Sequence, residues 1–244
     1  MSRRSLWIAF VVGATILLGG GWITYLFVTL PKVDYLVSEN PSETALMAAR
    51  GGERAQLWVP LADISPRLIE AVLMGEDAGF YGHNGFDTHE MKEALRRNWE
   101  EGRTVRGAST ITQQLAKNLY LSTDRTYARK LKEAILTYRL EKALSKSRIL
   151  EIYLNAIEWG DGVYGVEAAA RDVFGKSAMW LDATEAATLA AMIPNPRELD
   201  PCDPSEAVRV RRDRILRWMH GAGKLNEDEL GRALKARPRL RECL

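Results

Sequence analysis

Two glutamates stand where a carboxylate could do chemistry. Glu76 opens the run Glu76-Asp77-Ala78-Gly79-Phe80-Tyr81-Gly82-His83-Asn84-Gly85-Phe86-Asp87, and Glu133 lies among cations in a basic helix. The first run packs acids, His83 and three glycines into a turn-rich stretch, the kind of loop that positions catalytic groups on a rigid scaffold. A surface loop capped by acids has the same composition, so both readings stand at this point.

A second segment, Gly107-Ala108-Ser109-Thr110-Ile111-Thr112-Gln113-Gln114-Leu115-Ala116-Lys117-Asn118, crowds hydroxyls and amides just beyond a glycine. A helix N-terminus with free N–H groups, hydroxyls and a nearby lysine can cradle a phosphate or a sugar. An ordinary N-cap on a polar helix gives the same pattern. In the third segment Arg129 and Lys130 precede Glu133 by four and three residues, so all three share a helix face. Exposed trios of this kind are worth only a few tenths of a kcal/mol, about the scale of solvated ion pairs. Beside a pyrophosphate the same cations would neutralise charge on a departing group.

These residues need helices to hold them. Ser65 followed by Pro66 marks a helix start, and Leu68, Ile69, Val72 and Leu73 form its apolar stripe, which puts Glu76 at or just past the helix end. Residues 125–144 carry Leu131, Ile135, Tyr138 and Leu140 at helical spacing, and Ser147 is expected to cap a helix containing Ile149, Ile152 and Tyr153. Residues 182–193 are alanine-rich and helical until Pro194. Ser205 is expected to cap a helix reaching His220, and Asn226 with Glu229 has the form of a capping box. Strand patterns are nearly absent, so the fold class is mainly α.

The chain has 244 residues, room for an N-terminal appendage and one compact domain. Its 34 basic and 32 acidic residues leave a charge of +2, no global reason to bind nucleic acid. From Leu6 to Leu30 no residue is charged, a run long enough to cross a hydrocarbon core of about 30 Å. It also exceeds the roughly 7 to 15 apolar residues of a signal peptide. Arg3 and Arg4 precede it, so the positive-inside bias puts the N-terminus in the cytoplasm and the rest outside. Lys32 and Tyr35 suit the outer boundary. The expected organisation is a cytoplasmic N-terminus at 1–5, a transmembrane helix at 6–30, a stalk at 31–56 and one domain at 57–244. Cys202 and Cys243 would face an oxidising compartment, where a disulfide and two free thiols are both permitted. Cys and His do not cluster, and no metal signature is present.

Together and in this order, the three segments resemble the glycosyltransferase domain of bacterial peptidoglycan polymerases. A short chain with one anchor is similar to the monofunctional peptidoglycan glycosyltransferases. The likeness continues through residues 146–155, 158–170, Phe174-Gly175-Lys176 and 185–201, and so covers most of 58–201. Asn195-Pro196 stands where many bifunctional members have alanine-proline.

The resemblance implies a lysozyme-like domain that uses lipid II, a disaccharide-peptide carried on a polyprenyl pyrophosphate, and the growing glycan strand. It implies Glu76 as catalytic base and Glu133 as second essential glutamate. Asp77, His83, Gly107, Ser109, Thr110, Gln113, Gln114, Lys117, Asn118, Arg129 and Lys130 would be the substrate-binding positions. No cofactor is required; a divalent cation, Mg or Mn, can join at the diphosphate. The expected setting is the bacterial inner membrane, among cell-wall synthases or division proteins, with no nucleic acid partner. A lysozyme-type glycan-cleaving enzyme would also need a glutamate, but as an acid for a sugar leaving group. It would have no use for the trio at Arg129, Lys130 and Glu133. A tethered glycan-binding scaffold would not need Glu76, Gln114 and Lys117 together.

Overall fold

The computed structural model describes residues 2–51, 55–102, 107–124, 126–197 and 206–238. Helix α1 (Arg3–Thr29) is long and apolar enough to cross a membrane, and its most apolar window is not buried by the rest of the chain. It begins three residues before the uncharged run because Ser2 caps it through the Ser5 N–H. The short helix α2 (Ala45–Arg50) follows, then strand β1 (Ala55–Gln56). Leu36 and Met47 are buried, so residues 31–56, expected as a stalk, contribute apolar side chains to the folded body.

Helix α3 (Pro66–Glu76) starts as its Ser-Pro pair predicts, although the Ser65 hydroxyl donates to Leu181 O and does not cap the helix. Asp87 then caps α4 (Thr88–Glu100), a helix the apolar pattern alone did not reveal. Next come α5 (Ile111–Tyr120), α6 (Tyr127–Ala143) and α7 (Lys146–Ala156). The cap of α7 is Ser145, whose hydroxyl accepts from Arg148 N; Ser147, the residue expected there, lies within the first turn. Strands β2 (Glu158–Gly160) and β3 (Val163–Tyr164) complete a small sheet in the order β1-β3-β2, with β1 parallel and β2 antiparallel to β3.

Helices α8 (Val166–Phe174), α9 (Ala183–Met192), α10 (Glu206–Gly221) and α11 (Glu227–Lys235) finish the domain. The expected capping box at Asn226 and Glu229 forms, and Asp182 with Glu185 makes another at the start of α9. Ser205, Cys202 and Cys243, on which a helix cap and a disulfide were read, lie outside the described residues. The architecture is mainly α, as the patterns predict.

The core explains where the site falls. Every residue from Thr184 to Met192 in α9 is buried, and its small side chains let α3 and α10 pack closely on it. Gly75 brings α10 closer still: a Cβ there would stand 3.1 Å from Ile215 Cδ1. On the other side α5 packs on α6 and α7 through Leu115, Leu136 and Ile152, all fully buried. Each such side chain contributes roughly 1.5–3 kcal/mol relative to exposure. The end of α3 and the start of α5 therefore meet between two well-packed halves.

Candidate active site

Glu76 is the last residue of α3 and is clamped on both oxygens. Its Oε1 accepts from Arg211 Nη2 at 2.7 Å, and its Oε2 accepts from Gln114 Nε2 at 2.8 Å. The Tyr153 hydroxyl donates to Gln114 Oε1 at 2.9 Å, which turns the amide so that its NH₂ faces the carboxylate. Tyr153 is fully buried, and burial pushes its phenol well above the ordinary value, keeping it a donor. Burial also raises the Glu76 pKa above 4.5, against the opposing pull of Gln114 and Arg211 and with a small push from the Asp77 charge. The result is a held carboxylate with a stronger appetite for a proton than a solvated one.

Next door, Asp77 and His83 hold the loop. Asp77 Oδ2 accepts from Ile111 N at 3.0 Å and Oδ1 accepts from His83 Nε2 at 3.0 Å. His83 Nδ1 accepts from Gly85 N at 3.1 Å, so the proton sits on Nε2. Gly85 in turn accepts from the Thr110 hydroxyl through its carbonyl at 2.7 Å. Gly85 has φ of +85°, and a Cβ there would meet Thr137 Cγ2 at 2.7 Å, so both backbone and space demand glycine. Thr110 and Gln113 complete a reciprocal capping box at the head of α5.

The cationic group comes from α5 and α6. Arg129 Nη1 donates to Glu133 Oε2 at 2.6 Å, and Lys130 Nζ pairs with Oε1. Glu133 is buried, with 4% of its side chain exposed. Burial lowers the Lys117 pKa, an effect opposed by Glu133 and reinforced by Arg129, Lys130 and Arg50. Three cations thus share the one carboxylate of Glu133. Among the described residues, Arg129 Nε is buried without a hydrogen-bond partner.

Glu76, Ser109, Gln113, Gln114, Lys117 and Glu133 line one cleft of about 280 Å³, walled also by Ile193 and Pro194. Arg129 and Lys130 join it through Glu133. Asp77 and His83 do not line it, and their hydrogen bonds run to the loop and to α5. Among the described residues nothing crowds Gly107, and Asn118 is buried on α5. Asp77, His83 and Asp87 form a group whose ligand atoms lie within 4.8 Å of one another. Both His83 nitrogens are occupied and Asp87 caps α4, so a cation there would have to displace bonds that hold the loop.

Arg211 is the residue the sequence reading missed. A signal was present: in α10 it sits three residues after Val208 and four before Ile215, both buried, so an arginine interrupts an apolar stripe. Such a charge must find a partner inside.

A buried carboxylate and a surplus of cations on one cleft define a site suited to moving a group off an anionic carrier. The chain belongs to the transglycosylase family: the family profile described as Transglycosylase matches residues 43–220. Among its relatives is a protein named biosynthetic peptidoglycan transglycosylase from Methylobacillus flagellatus, 46% identical over 203 residues, covering 80% of this chain and 88% of that one. Proteins of the same name from Nitrosospira multiformis and Laribacter hongkongensis are 48% and 44% identical, covering 72% and 86% of this chain and 80% and 94% of theirs. The solved structure of penicillin-binding protein 1A from Haemophilus influenzae aligns over 78% of this chain and 19% of its own, at 23% identity and a TM-score of 0.45, too distant to carry residues across.

Proposed function

We propose that this enzyme polymerises peptidoglycan by transferring the growing lipid-linked glycan from undecaprenyl diphosphate to the 4-hydroxyl of the GlcNAc of lipid II, forming β-1,4 links with inversion. The supporting observation is that Glu76 and the group formed by Lys117, Arg129, Lys130 and Glu133 serve a single cleft. Family membership and the names of the relatives point the same way.

In this reaction Glu76 Oε accepts the proton of the 4-hydroxyl as that oxygen forms its bond to the anomeric carbon. The bond from that carbon to the diphosphate breaks, and the departing diphosphate keeps the electron pair. Arg211 and Gln114 keep the carboxylate aimed, and its raised pKa makes it a better base; such general-base catalysis is worth roughly 10²- to 10⁴-fold. Lys117, Arg129 and Lys130 receive the developing charge. Glu133 holds two of those cations in place. Ser109 and Gln114 are the closest contacts for sugar hydroxyls, while Asp77, His83, Thr110 and Gln113 act by shaping the loop and the head of α5. The diphosphate leaves without an acid, so no cofactor is needed; Mg or Mn can accompany the diphosphate as counter-ion.

The α1 span anchors the enzyme in the inner membrane with its N-terminus in the cytoplasm, the domain beyond residue 57 in the periplasm, and the site beside the polyprenyl tail. Cell-wall synthases and division proteins are the partners this location offers. A hydrolytic lysozyme-type reading is disfavoured by the cation surplus, which a neutral sugar leaving group would not use.

Incubation of the purified enzyme with labelled lipid II should give long glycan, blocked by moenomycin. Cleavage of preformed glycan with no polymer from lipid II would overturn the proposal.

A further inference from the structure

The outer end of α1 is built into the domain, and one residue of the cationic helix makes the joint. Arg139 lies on α6, six residues beyond Glu133. Its Nη1 donates to Leu30 O at 2.8 Å and to Pro31 O at 2.9 Å, its Nη2 donates to Phe27 O, and its guanidinium lies 4.7 Å from the centre of the Phe27 ring. Phe27 O belongs to the last turn of α1 and Leu30 O to its cap, where helix carbonyls lack intrahelical partners and a cation meets the negative end of the helix dipole; Pro31 O lies just beyond. Leu26 is buried in the same turn. Just beyond, Val33 and Leu36 are buried, and Arg148 on α7 donates to Leu36 O at 2.8 Å and Glu39 O at 2.7 Å. The span therefore leaves the membrane already docked on α6 and α7, with no free hinge between anchor and domain.

We infer that Arg139 is a positioning residue: it fixes α6, and with it Glu133, Arg129 and Lys130, at a set height and tilt above the bilayer, so that the cleft meets a diphosphate confined to that surface. This rests on the polymerase reading given above. A substrate whose tail is embedded cannot adjust its own height, so misplacement by about an ångström can cost up to about a hundredfold in rate. A water-soluble substrate can diffuse into the cleft whatever its height.

The test compares wild type and Arg139→Ala, both full-length and in liposomes, on lipid II embedded in the same bilayer and on a short-chain, water-soluble lipid II. The expected result is a fall of about tenfold on the embedded substrate with turnover of the soluble one within about twofold. Equal losses on both would make Arg139 merely structural, and no loss on either would remove the joint; both overturn the inference. Arg139→Lys should recover part of the embedded-substrate rate, since it keeps the charge but loses the fork. Hydrogen exchange in the same liposomes reads the joint without activity. Arg139→Ala should speed exchange of the amides of Leu30 and of residues 32 to 36 while those of α5 stay protected, and unchanged exchange there also overturns the inference. If wild type polymerises neither substrate, the polymerase reading fails while the exchange result still judges the joint.

Discussion

Arg211 reaches Glu76 from 135 residues further along the chain and donates to its Oε1 at 2.7 Å, while the same nitrogen lies 3.1 Å from Gly75 O. The arginine thus ties the carboxylate to the end of its own helix. An acid that would otherwise swing in a half-open cleft has one direction left, and burial raises its affinity for protons.

Removing that arginine should move the acid limb of the rate profile. Arg211 lowers the Glu76 pKa, so Arg211→Ala raises it further above 4.5, and the base is protonated over a wider range. The rate at neutral pH should fall by about tenfold or more and recover in part as pH rises. The pH dependence of kcat/KM on lipid II checks this; a uniform loss at every pH would refute it.

Glu76→Gln should abolish polymerisation yet stabilise the fold at neutral pH. The native state holds the Glu76 proton more tightly than the unfolded chain, so between pH 4.5 and the raised native pKa it binds more protons than the unfolded state. Wild-type stability therefore falls as pH rises through that window, and the glutamine variant is spared the loss. Thermal unfolding should show a higher midpoint for Glu76→Gln at neutral pH, with the difference gone below pH 4.5.

On the cationic side, Glu133 opposes the fall in the Lys117 pKa. Glu133→Gln lowers that pKa further, so the basic limb of the profile should shift to lower pH, with turnover down about a hundredfold. An unshifted basic limb would mean that Lys117 is not the group seen there.

Gly85→Ala tests the loop that carries the Asp77–His83 pair. The added methyl would need the left-handed backbone at φ +85° and would overlap Thr137 Cγ2. A loss of about 2 kcal/mol or more in urea unfolding is expected. Activity should fall with it, because the same glycine carbonyl receives the Thr110 hydroxyl at the head of α5.

Local signals carried much of this architecture. The Ser65-Pro66 pair put Glu76 at a helix end, and the Asn226 capping box lies where its side chains announce it. Ser145 rather than Ser147 caps α7 because both serines precede the apolar stripe and only the fold selects between them. The density of polar residues around Ser109 supported two readings, and the segment has features of both: Thr110 and Gln113 form the cap, while Ser109, Gln113 and Gln114 line the cleft. Arg211 escaped notice because its partner is distant in sequence, and no local pattern encodes a pairing across 135 residues. Helix α4 was passed over because its polar composition leaves only Ala94 buried.

Half of the residues of helix α9, from Ala183 to Ala191, are alanines, and α3 and α10 rest against it. It works as a rod on which the helix of the acid and the helix of the arginine that steadies it are both seated, side by side and touching each other. One added carbon on that rod would be felt at the far ends of both neighbours, so selection for catalysis should keep α9 plain even where a bulkier core would be more stable.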